Sequence, residues 1–234
     1  MVEYQVPGKL GEKLEECGVL LQVALDLTSI GDALNIGYHS LVSPAVILEA
    51  GTPLVKVEGL KESALLKALP QEPVVIADLK TFDTGRLEVS LAAKYGFDAS
   101  SVLSLAPEET IIEAVEAAND HGIALYGDLI GHPNPYEGAK RLRELGVHIA
   151  LLHIGIDVQK KLGITAGQME DLIKKIKDAF KGPVAVAGGI KPDETERLAK
   201  AGADIIIIGS AITRAKNPRQ AAVTAVRNMR PRCL

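Results

Sequence analysis

Short apolar runs alternate along the chain with longer segments in which apolar residues recur at helical spacing. Three stretches, AAKYGFDASSVLSL, RLRELGVHIALLHI and LAKAGADIIIIGS, share one layout: an amphipathic helix end, a glycine and a short apolar strand. A glycine at such a point can adopt the left-handed conformation that ends many helices. Two further stretches, AANDHGIALYGDL and AFKGPVAVAGG, repeat this layout. The pattern therefore indicates a repeated βα unit.

The remaining apolar runs, VLLQVAL, AVILEAG and VVIAD, bring the predicted strands to eight. The helical spacing predicts helices near residues 30–42, 59–69, 84–95, 108–121, 134–145, 167–180, 193–201 and 217–229. The strands are almost continuously apolar, which is typical of strands buried on both faces of a parallel sheet. We therefore predict one α/β domain, a (β/α)8 TIM barrel over residues 19–234, preceded by a short N-terminal extension over residues 1–18.

Composition narrows the possible partners. The net charge is −4 and only 3% of the residues are aromatic, so the chain offers neither a basic surface nor stacking platforms for nucleic acid. No apolar run reaches the roughly 18 residues of a membrane span, and the first residues lack the layout of a secretory signal. We expect a cytoplasmic protein that binds neither nucleic acid nor membrane. Cys17 and Cys233 form no metal-binding or redox motif, so they are expected to be reduced and incidental.

Ionisable side chains end five of the predicted strands. They are Asp26, Glu49, Asp78, Lys80, Asp128 and His153. Side chains alternate along a strand, so Asp78 and Lys80 are expected to point into the barrel mouth while Leu79 faces the helices. Because barrel enzymes place their chemistry at the carboxyl ends of strands, this coincidence favours a shared site. Asp128 could alternatively cap a short turn.

Each of the other charges also has a structural alternative. Asp83, which follows the third strand, could be the N-cap of the next helix, because aspartate is a preferred capping residue. Glu49 and Asp78 could be no more than ion-pair partners of Lys80. His153 taken alone could be a core histidine whose ring is satisfied by hydrogen bonds.

Glycines follow the last two strands. Gly188 and Gly189 end the seventh, and Gly209 and Ser210 end the eighth, each before a predicted helix. Exposed backbone N–H groups at such positions bind phosphate in many barrels, although the glycines could simply make tight turns. The long segment after the sixth strand, IGIDVQKKLGITAG, lies on the same face, and two of its glycines could be the hinges of a lid.

The motif DLKTFD, read as D-x-K-x-x-D at the end of the third strand, resembles the orotidine 5′-monophosphate decarboxylase superfamily. Together with LQVALDLT, LEAGTPLVKVEGL, GDLI, HIGID, VAGGI and IIGSAIT, it is similar to the 3-hexulose-6-phosphate synthases of that superfamily over residues 20 to about 226. Orotidylate decarboxylases carry lysine where this chain has Glu49. The 3-keto-L-gulonate 6-phosphate decarboxylases carry two arginines where it has Ile156 and Ser210. These departures favour the synthases and leave the phosphate with fewer cationic partners.

The resemblance implies an aldehyde-lyase, an aldolase that condenses formaldehyde with D-ribulose 5-phosphate reversibly to D-arabino-hex-3-ulose 6-phosphate. Its cofactor would be Mg²⁺ or Mn²⁺, held by Glu49 and Asp78. Lys80 and the cation would stabilise a 1,2-enediolate formed when His153 removes the C1 proton. The alternatives are a 3-keto-L-gulonate 6-phosphate decarboxylase and a non-catalytic barrel that binds a sugar phosphate.

The resemblance also assigns the remaining residues. Asp26 and Asp128 would orient water, hydroxyl groups and Lys80. The residue that matches Asp83 reaches into the neighbouring subunit's site in this superfamily, which implies a homodimer with shared active sites. The phosphate would rest on the glycine-rich loops, at Gly188, Gly189, Gly209 and Ser210.

Overall fold

The computed structural model describes residues 5–154 and 166–233. Eight parallel strands close into a barrel in chain order, which confirms the predicted (β/α)8 TIM barrel. The strands are β1 (Leu20–Leu25), β2 (Val46–Ala50), β3 (Val75–Thr81), β4 (Ala99–Leu103), β5 (Ala124–Asp128), β6 (Ile149–His153), β7 (Val184–Ala187) and β8 (Ile205–Ile208).

Helices surround the barrel, and most begin and end within two residues of the predicted positions. They are α1 (Gly8–Cys17), α2 (Ile30–Ser40), α3 (Thr52–Ser63), α4 (Gly85–Lys94), α5 (Glu108–His121), α6 (Pro135–Glu144), α7 (Ala166–Phe180), α8 (Thr195–Lys200), α9 (Ser210–Thr213) and α10 (Pro218–Met229). The described residues also form two short 3₁₀ helices, Ala64–Ala68 and Pro192–Glu194.

The helix predicted over residues 59–69 is placed wrongly. The helix in this part of the chain is α3, which starts at Thr52, directly after β2. Gly51 is its N-cap, and Pro53 lies in its first turn, where proline is well tolerated. Gly59 has a φ of 79° and kinks α3, and the following residues form a 3₁₀ turn. Because α3 begins so early, its first turn lies beside the carboxyl end of β2.

Apolar side chains form two layers. The outer layer packs the strands against the helices. The inner layer fills the barrel with residues from alternate strand positions, among them Leu20, Ile47 and Ile76. From α1, Leu10 and Cys17 are fully buried in this inner layer. Helix α1 therefore covers the inner core, and the polar strand ends lie at the opposite mouth.

The expectation that the two cysteines are reduced and incidental is wrong. Cys17 and Cys233 form a disulfide, with their Cα atoms 4.6 Å apart. The backbone N–H of Arg232 also donates to the carbonyl oxygen of Cys17 at 2.8 Å. Closure of the barrel pairs β1 with β8 and so brings the two ends of the chain together. A separation of 216 residues conceals this pairing in the sequence.

Most of the segment predicted to be a lid, together with Ile156, lies outside the described residues. Within the described part of the chain, no helix is long and apolar enough to cross a membrane.

Candidate active site

A cavity of about 360 Å³ opens at the carboxyl ends of the strands. Nine of the residues expected at the site line it: Asp26, Glu49, Asp78, Lys80, His153, Gly188, Gly189, Gly209 and Ser210. Asp128 lies fully buried, in contact with two of these side chains. The strand-end positions that the sequence singles out thus converge, whereas Asp83 lies outside the cavity.

Lys80 occupies an irregular part of β3. Its φ of 49° lies in the left-handed region, where the register between β3 and β4 shifts. The backbone N–H of Lys80 donates to the hydroxyl of Ser101 at 2.9 Å, which holds this turn of the chain. The Lys80 ammonium group contacts Asp78 and lies 3.7 Å from Oδ2 of Asp128. A backbone conformation of this kind is strained, and it persists only where the surrounding structure holds it in place. Such positions are common in active sites.

Hydrogen bonds from three directions fix the carboxylate of Asp78. Its Oδ1 accepts from Ser101 at 2.9 Å, and its Oδ2 accepts from Thr52 at 2.7 Å and from Lys80. Burial opposes the negative charge of Asp78, but the ammonium charge of Lys80 and these hydrogen bonds lower the pKa of Asp78. Burial also opposes the charge of Lys80, yet Asp78 and Asp128 raise its pKa. The pair is therefore ionised at neutral pH.

His153 and Asp128 form a second pair beside Lys80. Nδ1 of His153 lies 3.2 Å from Oδ2 of Asp128. Asp128 also accepts the backbone N–H of Ile130 on Oδ1 at 2.9 Å, so it caps a turn as well as contacting the site. A proton on Nδ1 that is donated to Asp128 leaves Nε2 of His153 as a base. The pair can therefore accept a proton from a ligand in the cavity.

Glu49 lies lower in the cavity and has a different set of partners. Its Oε2 accepts from the side-chain amide of Gln22 at 2.5 Å, and Gln22 in turn accepts from the hydroxyl of Tyr126 at 2.9 Å. Burial raises the pKa of Glu49 well above its ordinary value, and the negative charges of Asp78 and Asp26 add to this effect. Glu49 makes no ion pair with any described residue, so it is not a structural partner of Lys80.

Asp26 stands at the rim and is exposed. A Cβ at position 51 would come within 2.3 Å of its Oδ1, so glycine at that position leaves room for the carboxylate. Desolvation at the rim and the charge of Asp78 together raise the pKa of Asp26. The cavity thus carries more negative than positive charge.

The excess of carboxylates fits a divalent cation. Burial is the main cause of the raised pKa values of Glu49 and Asp26, and a cation bound beside these carboxyl groups would offset it. Asp78 uses three of about four lone-pair positions, and Oε1 of Glu49 has no hydrogen-bond partner in the described part of the chain. No cluster of three or more Asp, Glu, His or Cys ligands occurs among the described residues. Mg²⁺ is often bound by one or two carboxylates together with water and substrate oxygens, so Glu49 and Asp78 are residues that could hold such an ion.

The opposite wall of the cavity consists largely of backbone. Gly188 and Gly189 have φ values of 121° and 58°, which a side chain would strain. With Gly209 and Ser210, they line the side of the cavity next to β7 and β8. Arg214, directly after α9, lines the same side, and its guanidinium group makes no ion pair within residues 5–154 and 166–233. This wall is suited to an anionic group such as a phosphate.

Asp83 is exposed on the loop between β3 and α4. Its Oδ1 accepts the backbone N–H of Thr84 at 2.7 Å. The N-cap of α4 is Thr84, with a φ of 53°, and not Asp83. The carboxylate of Asp83 thus faces solvent in this single chain, next to the exposed ring of Phe82.

Several polar lining residues were missed from the sequence, among them Gln22, Thr52, Ser101, Tyr126 and Arg214. Alternation offered a signal for two of them, because Gln22 precedes Asp26 by four positions and Tyr126 precedes Asp128 by two on the same strand face. Ser101 and Thr52 are ordinary polar residues without a distinctive pattern. Arg214 follows a helix of four residues, which the sequence did not predict.

A closed parallel barrel with an Asp–Lys pair, an Asp–His pair and a glycine-lined wall at its mouth defines a barrel enzyme that acts on a small anionic substrate. The chain belongs to the orotidine 5′-phosphate decarboxylase / HUMPS family, whose profile matches residues 20–225. This finding confirms the resemblance that the strand-end motifs indicated.

Within this family, the chain is similar to named enzymes. The chain is 37% identical over 202 residues to the 3-hexulose-6-phosphate synthase of Mycobacterium gastri, which covers 86% of this chain and 95% of that protein. It is 34% identical over 215 residues to the bifunctional enzyme Fae/Hps of Archaeoglobus fulgidus, covering 90% of this chain and 53% of that protein. The chain thus spans about half the length of this bifunctional relative.

The fold is similar to that of a 3-hexulose-6-phosphate synthase of known structure. A crystal structure of 3-hexulose-6-phosphate synthase superposes with a TM-score of 0.83 at 35% sequence identity. The match covers 90% of this chain and all of that chain.

Proposed function

We propose that the chain is an aldehyde-lyase that condenses formaldehyde with D-ribulose 5-phosphate to give D-arabino-hex-3-ulose 6-phosphate. The observation that carries the proposal is the arrangement of Lys80 beside Asp78, Asp128 and His153 in one cavity. The similarity to named 3-hexulose-6-phosphate synthases supports the choice of reaction.

His153 is the base in this proposal. With Nδ1–H directed at Asp128, Nε2 takes the C1 proton of ribulose 5-phosphate, whose C1–H electron pair becomes the enediolate. C1 then forms a bond to the carbon of formaldehyde, and the carbonyl electron pair moves to the former aldehyde oxygen. That oxygen receives the proton from His153, which returns the base to its starting form. Asp128 holds the ring throughout and stabilises the imidazolium.

Lys80 stabilises the negative charge of the enediolate. Its ammonium group is fixed by Asp78, so little reorganisation is needed when the charge develops. A divalent cation held by Glu49 and Asp78 would supply a Lewis acid that withdraws electron density from the substrate ketone. Asp26 lies at the rim, where it can orient a substrate hydroxyl or a water molecule.

The phosphate belongs on the wall formed by the loops after β7 and β8. Gly188, Gly189, Gly209 and Ser210 offer close approach of backbone N–H groups. Because the chain has Ser210 where the related decarboxylases carry arginine, the sequence leaves the phosphate with fewer cationic partners. Arg214 supplies one from a position further along the chain, and a guanidinium group can bind a phosphate through two parallel hydrogen bonds.

A direct assay tests the proposal. Protein incubated with ribulose 5-phosphate, formaldehyde and Mg²⁺ should consume formaldehyde, and EDTA should stop the reaction. Release of CO₂ from 3-keto-L-gulonate 6-phosphate without consumption of formaldehyde would identify the decarboxylase instead. Binding of the sugar phosphate without turnover of either substrate would favour a non-catalytic barrel.

The proposal includes a cytoplasmic homodimer. Phe82 and Leu87 lie close in the chain to Asp83, and together with Leu105 and Ile112, before and on α5, they expose large apolar side chains. Such a surface would be covered in a dimer, and Asp83 could then enter the partner's cavity. Mixing inactive Asp83→Ala and Lys80→Ala subunits should restore part of the activity, whereas a wild-type monomer active by itself would contradict shared sites.

A further inference from the structure

Three hydrogen-bonded side chains form a column inside the barrel, at the inner end of the cavity. The Tyr126 hydroxyl donates to Oε1 of Gln22 at 2.9 Å, and the amide nitrogen of Gln22 donates to Oε2 of Glu49 at 2.5 Å. Tyr126, Gln22 and Glu49 are 1%, 1% and 7% exposed. The proton transfer assigned to His153 uses none of these bonds. The column therefore requires an explanation of its own.

The cost of burying polar groups argues against a role for the column in core packing alone. The neighbouring inward positions carry apolar side chains such as Ile47, Ile76 and Leu151. An apolar residue at position 22 would continue this layer, while a buried amide is tolerated only if both of its ends are bonded. Both ends of Gln22 are bonded in this structure, one to each neighbour.

The direction of the bonds follows from the chemistry of the three groups. When Glu49 binds a cation it is ionised and can only accept hydrogen bonds, so the end of Gln22 that faces it must then be its NH₂ group. The carbonyl end then faces the phenol and needs a donor, which the Tyr126 hydroxyl provides. Without that donor, the carbonyl end of the buried amide is left without a hydrogen bond. Tyr126 thus holds Gln22 in the position from which its NH₂ group bonds to Glu49.

We propose that Tyr126 and Gln22 are positioning residues that hold Glu49 by Oε2 and leave Oε1 to bind the divalent cation. Oε1 has no hydrogen-bond partner among the residues described, and Glu49 lines the cavity. The inference rests on the cation site in the proposed function, and it adds two residues that act on cation binding through Glu49. Residues that orient metal ligands in this way commonly change metal affinity by about 10–100-fold when they are replaced.

The test measures cation binding rather than turnover. Mn²⁺ is titrated into the substrate-free protein and free Mn²⁺ is followed by electron paramagnetic resonance. Tyr126→Phe removes the hydroxyl and keeps the ring, so we expect Mn²⁺ affinity to fall about 10-fold. Tyr95→Phe, directly after α4 and outside the cavity, is the matched control and should leave the affinity unchanged. Thermal melting of each variant separates loss of folding from loss of binding.

A double-mutant cycle tests the connection between the two residues. Gln22→Met removes both polar ends at similar length, and it should weaken Mn²⁺ binding at least as much as Tyr126→Phe. Because Tyr126 acts through Gln22, adding Tyr126→Phe to Gln22→Met should change the affinity no further. Equal Mn²⁺ affinity of Tyr126→Phe and wild type, or additive losses in the double variant, would overturn the inference. Failure of the wild-type protein to bind Mn²⁺ would instead overturn the cation site itself.

Discussion

Breaking the Cys17–Cys233 disulfide should lower stability without changing the active site. The bond closes a loop of 216 residues in sequence, for which the chain-entropy relation gives about 5 kcal/mol at 25 °C. Measured disulfides typically contribute about 2–4 kcal/mol. For a domain of this size each kcal/mol moves the melting temperature by roughly 2–4 °C, so a decrease of about 4–16 °C is expected.

The measurement compares thermal melting of the wild type with and without a phosphine reductant, while thiol titration counts free cysteines. Cys233→Ser is the better variant because Cys17 is fully buried and Cys233 is only partly buried. This variant should melt at the temperature of the reduced wild type and should not respond to reductant. Turnover at 25 °C should be the same in all samples, because the disulfide lies at the end of the barrel opposite the cavity.

Two results would refute this reasoning. One is an unchanged melting temperature in wild-type protein whose two thiols have been shown to be free. The other is a response of Cys233→Ser to reductant as large as that of the wild type, since this variant has no disulfide to lose.

Three further changes test the site and the fold. Lys80→Met should lower kcat by about 10²–10³-fold, measured at saturating substrate, because the charge that stabilises the enediolate is lost; a decrease below 10-fold would contradict that role. Arg214→Ala should raise the KM for ribulose 5-phosphate by about 10-fold or more and change kcat less, whereas Lys216→Ala, also exposed, should change neither. Burial lowers the pKa of His148 to about 4. Between that value and the ordinary 6.5 the unfolded chain binds a proton that the folded chain does not, so wild-type stability falls with decreasing pH by up to about 3 kcal/mol. In urea titrations from pH 7 to 4, His148→Gln should show a correspondingly smaller decrease, and an equal decrease would contradict the assignment.

The barrel was predictable because its signal is repeated and local. Each βα unit carries its own helix end, glycine and apolar strand, so an error in one unit does not change the count. The misplaced helix over residues 59–69 shows the limit of this signal. Gly51 and Pro53 start α3 directly after β2, whereas the apolar spacing predicts a helix only from the later residues.

The charged part of the site was predictable from topology. Parallel strands present their carboxyl ends at one mouth, so Glu49, Asp78 and His153 could be placed together without any knowledge of distances. Of their individual partners, the sequence suggested only the ion pair of Asp78 with Lys80. Asp128 contacts His153 with one oxygen and caps a turn with the other, so the two positions that the sequence offered as alternatives for this side chain occur together.

The residues that the sequence did not reveal depend on contacts between distant segments. Tyr126 and Gln22 are 104 residues apart and meet only across the interior of the closed barrel. Cys17 and Cys233 meet because β8 returns to β1. Arg214 reaches the cavity from the end of a helix of four residues, too short to give a periodic signal.

The most direct test of the account is proton exchange at C1 of ribulose 5-phosphate in D₂O, followed by proton magnetic resonance without formaldehyde. If His153 forms the enediolate beside Lys80, the wild type with Mg²⁺ should replace one C1 proton by deuterium, and His153→Asn should slow the exchange by at least 100-fold. Absence of exchange in a wild-type protein that binds ribulose 5-phosphate, or undiminished exchange in His153→Asn, would contradict it.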